Sequence, residues 1–204
     1  MSRRNNCNLS IEATHWIDGE LLGDGCLHKI SPRSAIFVYA SKYPEYIEYI
    51  RDTLKSFGIE QVGKINRYYS KWDCYVYHYS SRAYPELLTI HKEWYPDGKK
   101  IVPKGIVLTP LVCRQWYIGD GSLTYKEKNY RVLLCTCGFT IPDVEWLIKQ
   151  LREIGFWAIW QKKNMISIVN KADKQFNNFL EYIGECPVEC YKYKWLLNST
   201  NSTI

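Results

Sequence analysis

The chain has no long apolar run. None of its 204 residues lies in a segment near the ~20 apolar residues that a membrane-spanning helix needs. Nor does an apolar segment follow Met1-Ser2-Arg3-Arg4-Asn5-Asn6, so no signal peptide is expected. Together these absences predict an intracellular protein, not secreted, with no membrane partner; cytoplasm and organelle are not distinguished. The eight cysteines include no Cys-x-x-Cys pair. Cys135 and Cys137 flank Thr136, Cys186 and Cys190 are four apart, and no histidine stands near enough to complete a zinc site. Free thiols are therefore expected, as intracellular cysteines usually are. The four histidines, at 15, 28, 78 and 91, are scattered and form no triad or metal spacing. A glycine-rich phosphate loop is missing too.

What remains is an ordinary globular composition with 46% hydrophobic and 24% charged residues, enough to bury a core. Tyrosine is abundant, at 17 residues, and the net charge is +6. The charge divides evenly, +3 in residues 1–104 and +3 in residues 105–204. A basic, Tyr-rich surface suits a polyanion such as nucleic acid.

The same punctuation occurs twice. Ile17 to Gly25 and Cys113 to Gly121 both end in Gly-Asp-Gly, with the aspartates 96 positions apart. Each follows a helix-like run and precedes a strand-like one. Helices are predicted from Ser10 to Leu22, Pro44 to Phe57 and Pro85 to Trp94, with strands at 27–31, 35–40, 62–70 and 74–80. Residues 96–107 carry the Pro, Gly and Lys of a linker. The pattern then restarts with a capping Thr109 before Pro110. Strands follow at 122–126 and 130–137, a helix at 142–154, strands at 156–162 and 165–170, and a helix from Asp173 to Ile183. Gly25 to Gly58 spans 33 residues and Gly121 to Gly155 spans 34. The expectation is an α+β protein of two α-β-β-α-β-β-α repeats, 8–95 and 108–186, joined by the 96–107 linker and followed by a tail at 187–204 whose end, Asn198 to Thr203, is frayed and polar. Each unit would have helices on one face of a four-stranded antiparallel sheet and leave the other face open.

An aspartate at a helix C-terminus faces the negative end of the helix dipole. A divalent cation would relieve that conflict. Asp24 with the Gly23 carbonyl, and Asp120 with the Gly119 carbonyl, offer hard oxygen donors of the Mg²⁺ kind. Gly25 and Gly121 let the chain turn sharply after each carboxylate. Gly19-x-x-x-Gly23 would admit a close partner helix, bringing the two aspartates to one end, as two-metal phosphodiester hydrolysis requires. Two Asx turns ending two helices are the alternative.

These residues resemble the double-motif, monomeric form of the LAGLIDADG homing endonucleases. Gly19, Gly23, Asp24 and Gly25 fit one motif, and Gly119, Asp120 and Gly121 the other, with Leu108 to Leu123 especially typical. The resemblance implies a pseudo-symmetric DNA-binding saddle of two antiparallel sheets, with the motif helices packed at its centre through Gly19, Gly23, Gln115 and Gly119. Gln115 stands where a small residue is usual. It implies a site-specific double-strand DNA endonuclease with Asp24 and Asp120 binding Mg²⁺ (or Mn²⁺), leaving short 3′ overhangs at a long asymmetric target. Lys171, Arg82 and Lys42 are candidates for basic residues that assist catalysis. DNA-reading candidates on strands or hairpins are Lys29, Arg33, Lys64, Asn66, Arg67, Lys126, Lys128, Arg131, Gln161 and Lys162. The alternative is an intron RNA-splicing maturase, with host intron RNA as partner, or a DNA binder that does not cut.

Overall fold

The computed structural model describes residues 5–71, 73–126, 129–162, 164–169 and 178–196. It divides into two compact units, 1–99 and 100–204. In the first, the order is α1 (Ile11–Leu22), β1 (Cys26–Ser31), β2 (Ser34–Ser41), α2 (Pro44–Ser56), β3 (Asn66–Tyr69), β4 (Tyr75–Ser80) and α3 (Pro85–Trp94). In the second it is α4 (Pro110–Asp120), β5 (Gly121–Lys126), β6 (Asn129–Cys135), α5 (Ile141–Glu153), β7 (Ala158–Gln161), β8 (Met165–Val169) and α6 (Phe179–Ile183), followed by a 3-10 helix at Glu189–Trp195. The two sheets are antiparallel with matching orders, β1-β2-β4-β3 and β5-β6-β8-β7. The fold is α+β, and its elements repeat. Of the helix expected from Asp173, residues 173–177 lie outside the described residues, as does 198–203.

Local chemistry explains most boundaries. Ser10 Oγ accepts from the Ala13 N–H at 3.1 Å, and Thr109 Oγ1 from Val112 N–H at 3.3 Å, capping the two motif helices. The α2 and α5 helices end alike. Gly58 (φ +79°) donates to Lys55 O at 2.9 Å and Gly155 (φ +93°) to Arg152 O at 3.0 Å, while the following Ile59 and Phe156 N–H groups reach back to Leu54 and Leu151. These are Schellman-type stops, for which a left-handed glycine is the usual residue. They also shorten the strands. Phe156 is still closing α5, so β7 starts at Ala158 rather than 156. Similarly, Gln61 bridges Ser81 and a bend at 63–64 intervenes, so β3 starts at Asn66 rather than 62.

Each unit has its own core. In the first, Phe37 and Tyr39 of β2, Tyr79 of β4, Trp16 of α1 and Tyr46, Ile47, Ile50 and Leu54 of α2 are buried together, with Tyr39–Tyr46 and Trp16–Phe37 ring centroids at 5.4 and 6.1 Å. Much of the tyrosine is thus core material. In the second, Trp116 and Tyr117 of α4, Leu134, Ile166, Val144, Leu147 and Leu151 do the same. The segment expected as a linker belongs partly to this core. Val102 and Ile106 are buried, and Asp143 Oδ1 accepts from the Val102 N–H at 3.3 Å. Asp143 Oδ2 meanwhile accepts from the Thr140 N–H at 3.2 Å at the start of α5.

Candidate nucleic-acid interface and metal site

The first motif helix ends by being crossed. Gly23 N–H bonds Gly19 O at 3.3 Å, and Gly25 N–H bonds Glu20 O at 2.8 Å. The chain after Asp24 therefore lies on the last helical turn. A Cβ at Gly25 would sit 2.7 Å from Glu20 O, so only glycine fits. Asp24 is left exposed at the tip, with Tyr39 Oη donating to its Oδ2 at 3.5 Å. Two other acids of this helix point inward. Glu20 is buried and accepts from Tyr46 Oη at 2.6 Å. Burial, with Glu20 alongside, pushes the Tyr46 phenol far above its ordinary range. Asp18 accepts from Trp94 Nε1 at 2.9 Å. Burial pushes Asp18 up to about 6, against the Trp94 hydrogen bond that pulls it down.

The second motif repeats the crossing and changes the surroundings. Asp120 is the last residue of α4, partly buried, and Gly121 opens β5 at once. A Cβ on Gly121 would overlap the Tyr117 ring and carbonyl oxygen. The Cys135 thiol is raised mainly by burial, with Asp120 contributing. Lys194, from the 3-10 helix, donates through Nζ to Ile118 O at 2.6 Å and Gly119 O at 3.1 Å. Its own carbonyl accepts from Tyr117 Oη at 2.6 Å, and Trp195 meets the Tyr117 ring edge-on at 4.9 Å. A cation therefore already holds the Gly119 carbonyl. Sequence reasoning missed Lys194 because it set residues 187–204 apart as a tail. The alternation of Tyr191, Tyr193 and Trp195 with Lys192 and Lys194 was the available signal.

As donors, the two aspartates suit a hard cation. Among the described residues no group of three His, Cys, Asp or Glu side chains could enclose a metal. A Mg²⁺-type ion needs no such cage, because it keeps waters and takes phosphate oxygens beside one or two carboxylates.

Of the other expected site residues, Gly19 and Gln115 are buried on their helices. Lys42 follows β2 directly and is exposed, with Nζ 5.0 Å from the Tyr43 ring centre. Arg82 is exposed beyond β4, and Ser81 N–H bonds Phe37 O. By register Arg82 aligns near Ile36, three residues or about 10 Å along β2 from Tyr39 and hence from the Asp24 end. Lys171 and Lys128 lie outside the described residues. Lys126 pairs with Asn129 at the end of the β5–β6 hairpin.

Strand register sorts the rest. In the first sheet Phe37, Tyr39 and Tyr79 face the helices. The other face holds Asn66, His78 and Ala40 in one row and Tyr68 with Val76 in another. Arg67 and Lys29 are on the helix-side register, opposite Tyr77 and Ala35, though both are exposed. Arg67 lies over the Tyr75 ring at 4.4 Å. Arg33 is exposed in the β1–β2 turn and Lys64 in the bend before β3. In the second sheet the open face carries Thr124, Arg131 and Val169 in one row and Cys135, Met165 and Gln161 in another. Lys162 is exposed just beyond β7. Asn66, Arg131 and Gln161 thus lie on open faces, and the remaining described candidates at edges and turns.

A twice-repeated α+β unit with a carboxylate at the crossed end of each first helix defines a narrow class. The chain belongs to the LAGLIDADG DNA endonuclease family, which its sequence matches over residues 15–175. It is 32% identical over 202 residues to an uncharacterized protein of Methanocaldococcus jannaschii, MJ1098, covering 93% of this chain and 78% of that one. It is 26% identical over 163 residues to the cytochrome b mRNA maturase bI2 of Debaryomyces hansenii, covering 72% of this chain and 58% of the maturase. Among solved structures, the homing endonuclease I-WcaI bound to its DNA recognition sequence superposes with a TM-score of 0.75 at 20% identity, covering 94% of this chain and 88% of that one. The N-terminal LAGLIDADG domain of WhiA gives 0.50 at 17% identity, covering 88% of each. At these identities the structural likeness speaks for the fold. No helix among the described residues is long and apolar enough to cross a membrane.

Proposed function

We propose that the protein is a site-specific, metal-dependent DNA endonuclease acting as a monomer, with both strands of a long asymmetric site cut to leave short 3′ overhangs. The observation that carries this is the matched pair Asp24 and Asp120. Each sits at a helix end where a carboxylate is disfavoured, followed by a glycine that tolerates no side chain. The repeats, 8–95 and 108–186, would each bring one sheet to the DNA. The open sheet faces would lie in the major groove, where every base pair is distinguishable. Arg131, Gln161 and Asn66, on those faces by strand register, would read base edges. Lys29, Arg33, Lys64, Arg67 and Lys162 at edges and turns would meet phosphates, which add affinity without sequence.

Asp24 and Asp120 would hold Mg²⁺ or Mn²⁺, which when bound would lower the pKa of an attacking water and offset charge on the phosphate. Tyr39 Oη, at 3.5 Å, orients the Asp24 carboxylate. Lys42 is exposed on the segment leaving β2, where it could approach the scissile phosphate. Arg82 and Lys171 are further candidates for that role.

The test is cleavage of the uninterrupted DNA locus corresponding to the site of its gene. Specific double-strand cutting is expected with Mg²⁺, and binding without efficient cutting with Ca²⁺. Asp24→Asn or Asp120→Asn is expected to abolish most double-strand cutting while binding survives. Undiminished cutting in both variants would overturn the metal assignment. A second reading is an intron RNA-splicing maturase, favoured by the 26% identity to the bI2 maturase. Specific host-intron RNA binding and splicing without nuclease activity would select it.

A further inference from the structure

We infer that Lys194 is a resident cation of the second motif, a positioning residue that weakens divalent-ion binding at Asp120. The inference rests on the metal role proposed for Asp120. The ammonium donates to two successive carbonyls, Ile118 O at 2.6 Å and Gly119 O at 3.1 Å, immediately before that aspartate. Helix C-terminal carbonyls and a neighbouring carboxylate form a negative focus that attracts any cation. Here a side chain of the same chain already occupies part of it. A divalent ion at Asp120 must displace Lys194 from Gly119 O or bind within a few ångströms of a fixed positive charge. Both lower its affinity.

The placement is firmly built. The 3-10 helix carrying Lys194 is tied to the same motif helix through Tyr117 Oη to Lys194 O at 2.6 Å and the edge-on Tyr117–Trp195 contact. Trp195 Nε1 also donates to Gly184 O at 2.8 Å. In the first unit the residue that leaves the last helix toward the motif is Tyr95, whose hydroxyl accepts from the Leu27 N–H at 3.5 Å and donates to Cys26 Sγ at 3.4 Å. Burial pushes the pKa of that phenol, an uncharged group, further up. The second motif therefore carries a charge that the Gly-Asp-Gly pattern does not contain.

The test uses Mn²⁺ alone as probe, read by the electron paramagnetic resonance signal of the free ion on the full chain. Asp24→Asn leaves Asp120 as the motif carboxylate, and Asp24→Asn with Asp120→Asn gives the background. Adding Lys194→Met to Asp24→Asn is expected to tighten Asp120-dependent Mn²⁺ binding roughly tenfold, and Lys194→Arg to leave it unchanged. Lys194→Gln keeps a donor for the carbonyls and removes the charge. It is expected to follow Met in Mn²⁺ affinity and wild type in melting temperature. Equal or weaker Mn²⁺ binding in both Met and Gln variants would overturn the inference while leaving Asp120 a metal ligand. Absence of any Asp120-dependent binding, with or without Lys194, would overturn the metal assignment and the inference with it.

Discussion

Asp18 shows how a single residue of a motif helix can carry a cost unrelated to the proposed chemistry. Its carboxyl is raised to about 6, first by burial, with the Trp94 hydrogen bond opposing and Glu93 adding. An unfolded Asp titrates near 4. The folded state therefore holds this proton more tightly. The stabilisation is fully present below about pH 4 and is lost as pH rises through about 6. Asp18→Asn keeps an acceptor for Trp94 Nε1 and removes the charge. The variant is expected to be more stable than wild type at pH 8 by about 1–2 kcal/mol, discounted for partial solvent access, with the difference vanishing near pH 4. Urea unfolding at the two pH values measures it, and an equal difference at both would exclude titration of Asp18 as the cause. Glu20, two positions on, is spent on Tyr46. That leaves Asp24 as the exposed acid at the end of its helix.

At the scale of elements, the helix–strand junction is the least tolerant part of the fold. Gly121 lies against the Tyr117 ring and carbonyl, and Gly25 against Glu20 O. Gly121→Ala is expected to cost about 2 kcal/mol or more, seen as a lower melting temperature together with loss of Tyr117 near-ultraviolet ellipticity. A neutral result would mean that the strand departs the helix less closely than described. Such junctions were legible in the sequence because their causes are local. Ser10, Thr109, Gly58 and Gly155 each act within four residues of their own position. What the sequence concealed depends on partners far along the chain. Val102 is held by Asp143, 41 residues on, and the end of α4 by Lys194, 75 residues beyond Gly119. Neither contact has a spacing to recognise. The linker and tail were consequently drawn around segments that pack in the second unit.

At the scale of the whole molecule, the +6 net charge divides equally between halves, while the open sheet faces do not match. The first presents His78, Asn66, Val76 and Tyr68, and the second Arg131, Thr124 and Gln161. Under the function proposed above, duplex DNA should be bound largely through phosphates contacted from strand edges and turns. The logarithm of affinity is then expected to fall linearly with the logarithm of salt concentration, with a slope near −0.9 per phosphate neutralised. Filter binding of the Asp24→Asn, Asp120→Asn variant across salt concentrations tests this. A flat dependence would remove the electrostatic basis of the proposed interface. The unequal faces suit a target whose two halves differ.

The Lys194 contact also has a consequence for synthesis. The braces of the first motif, Trp94 on Asp18 and Tyr95 on Leu27, can form once residue 95 has emerged from the ribosome. Those of the second wait for residues 194 and 195. On the ribosome the two halves therefore mature at different times. A nascent chain interrupted between them would hold one finished motif beside one whose helix end is still unclasped.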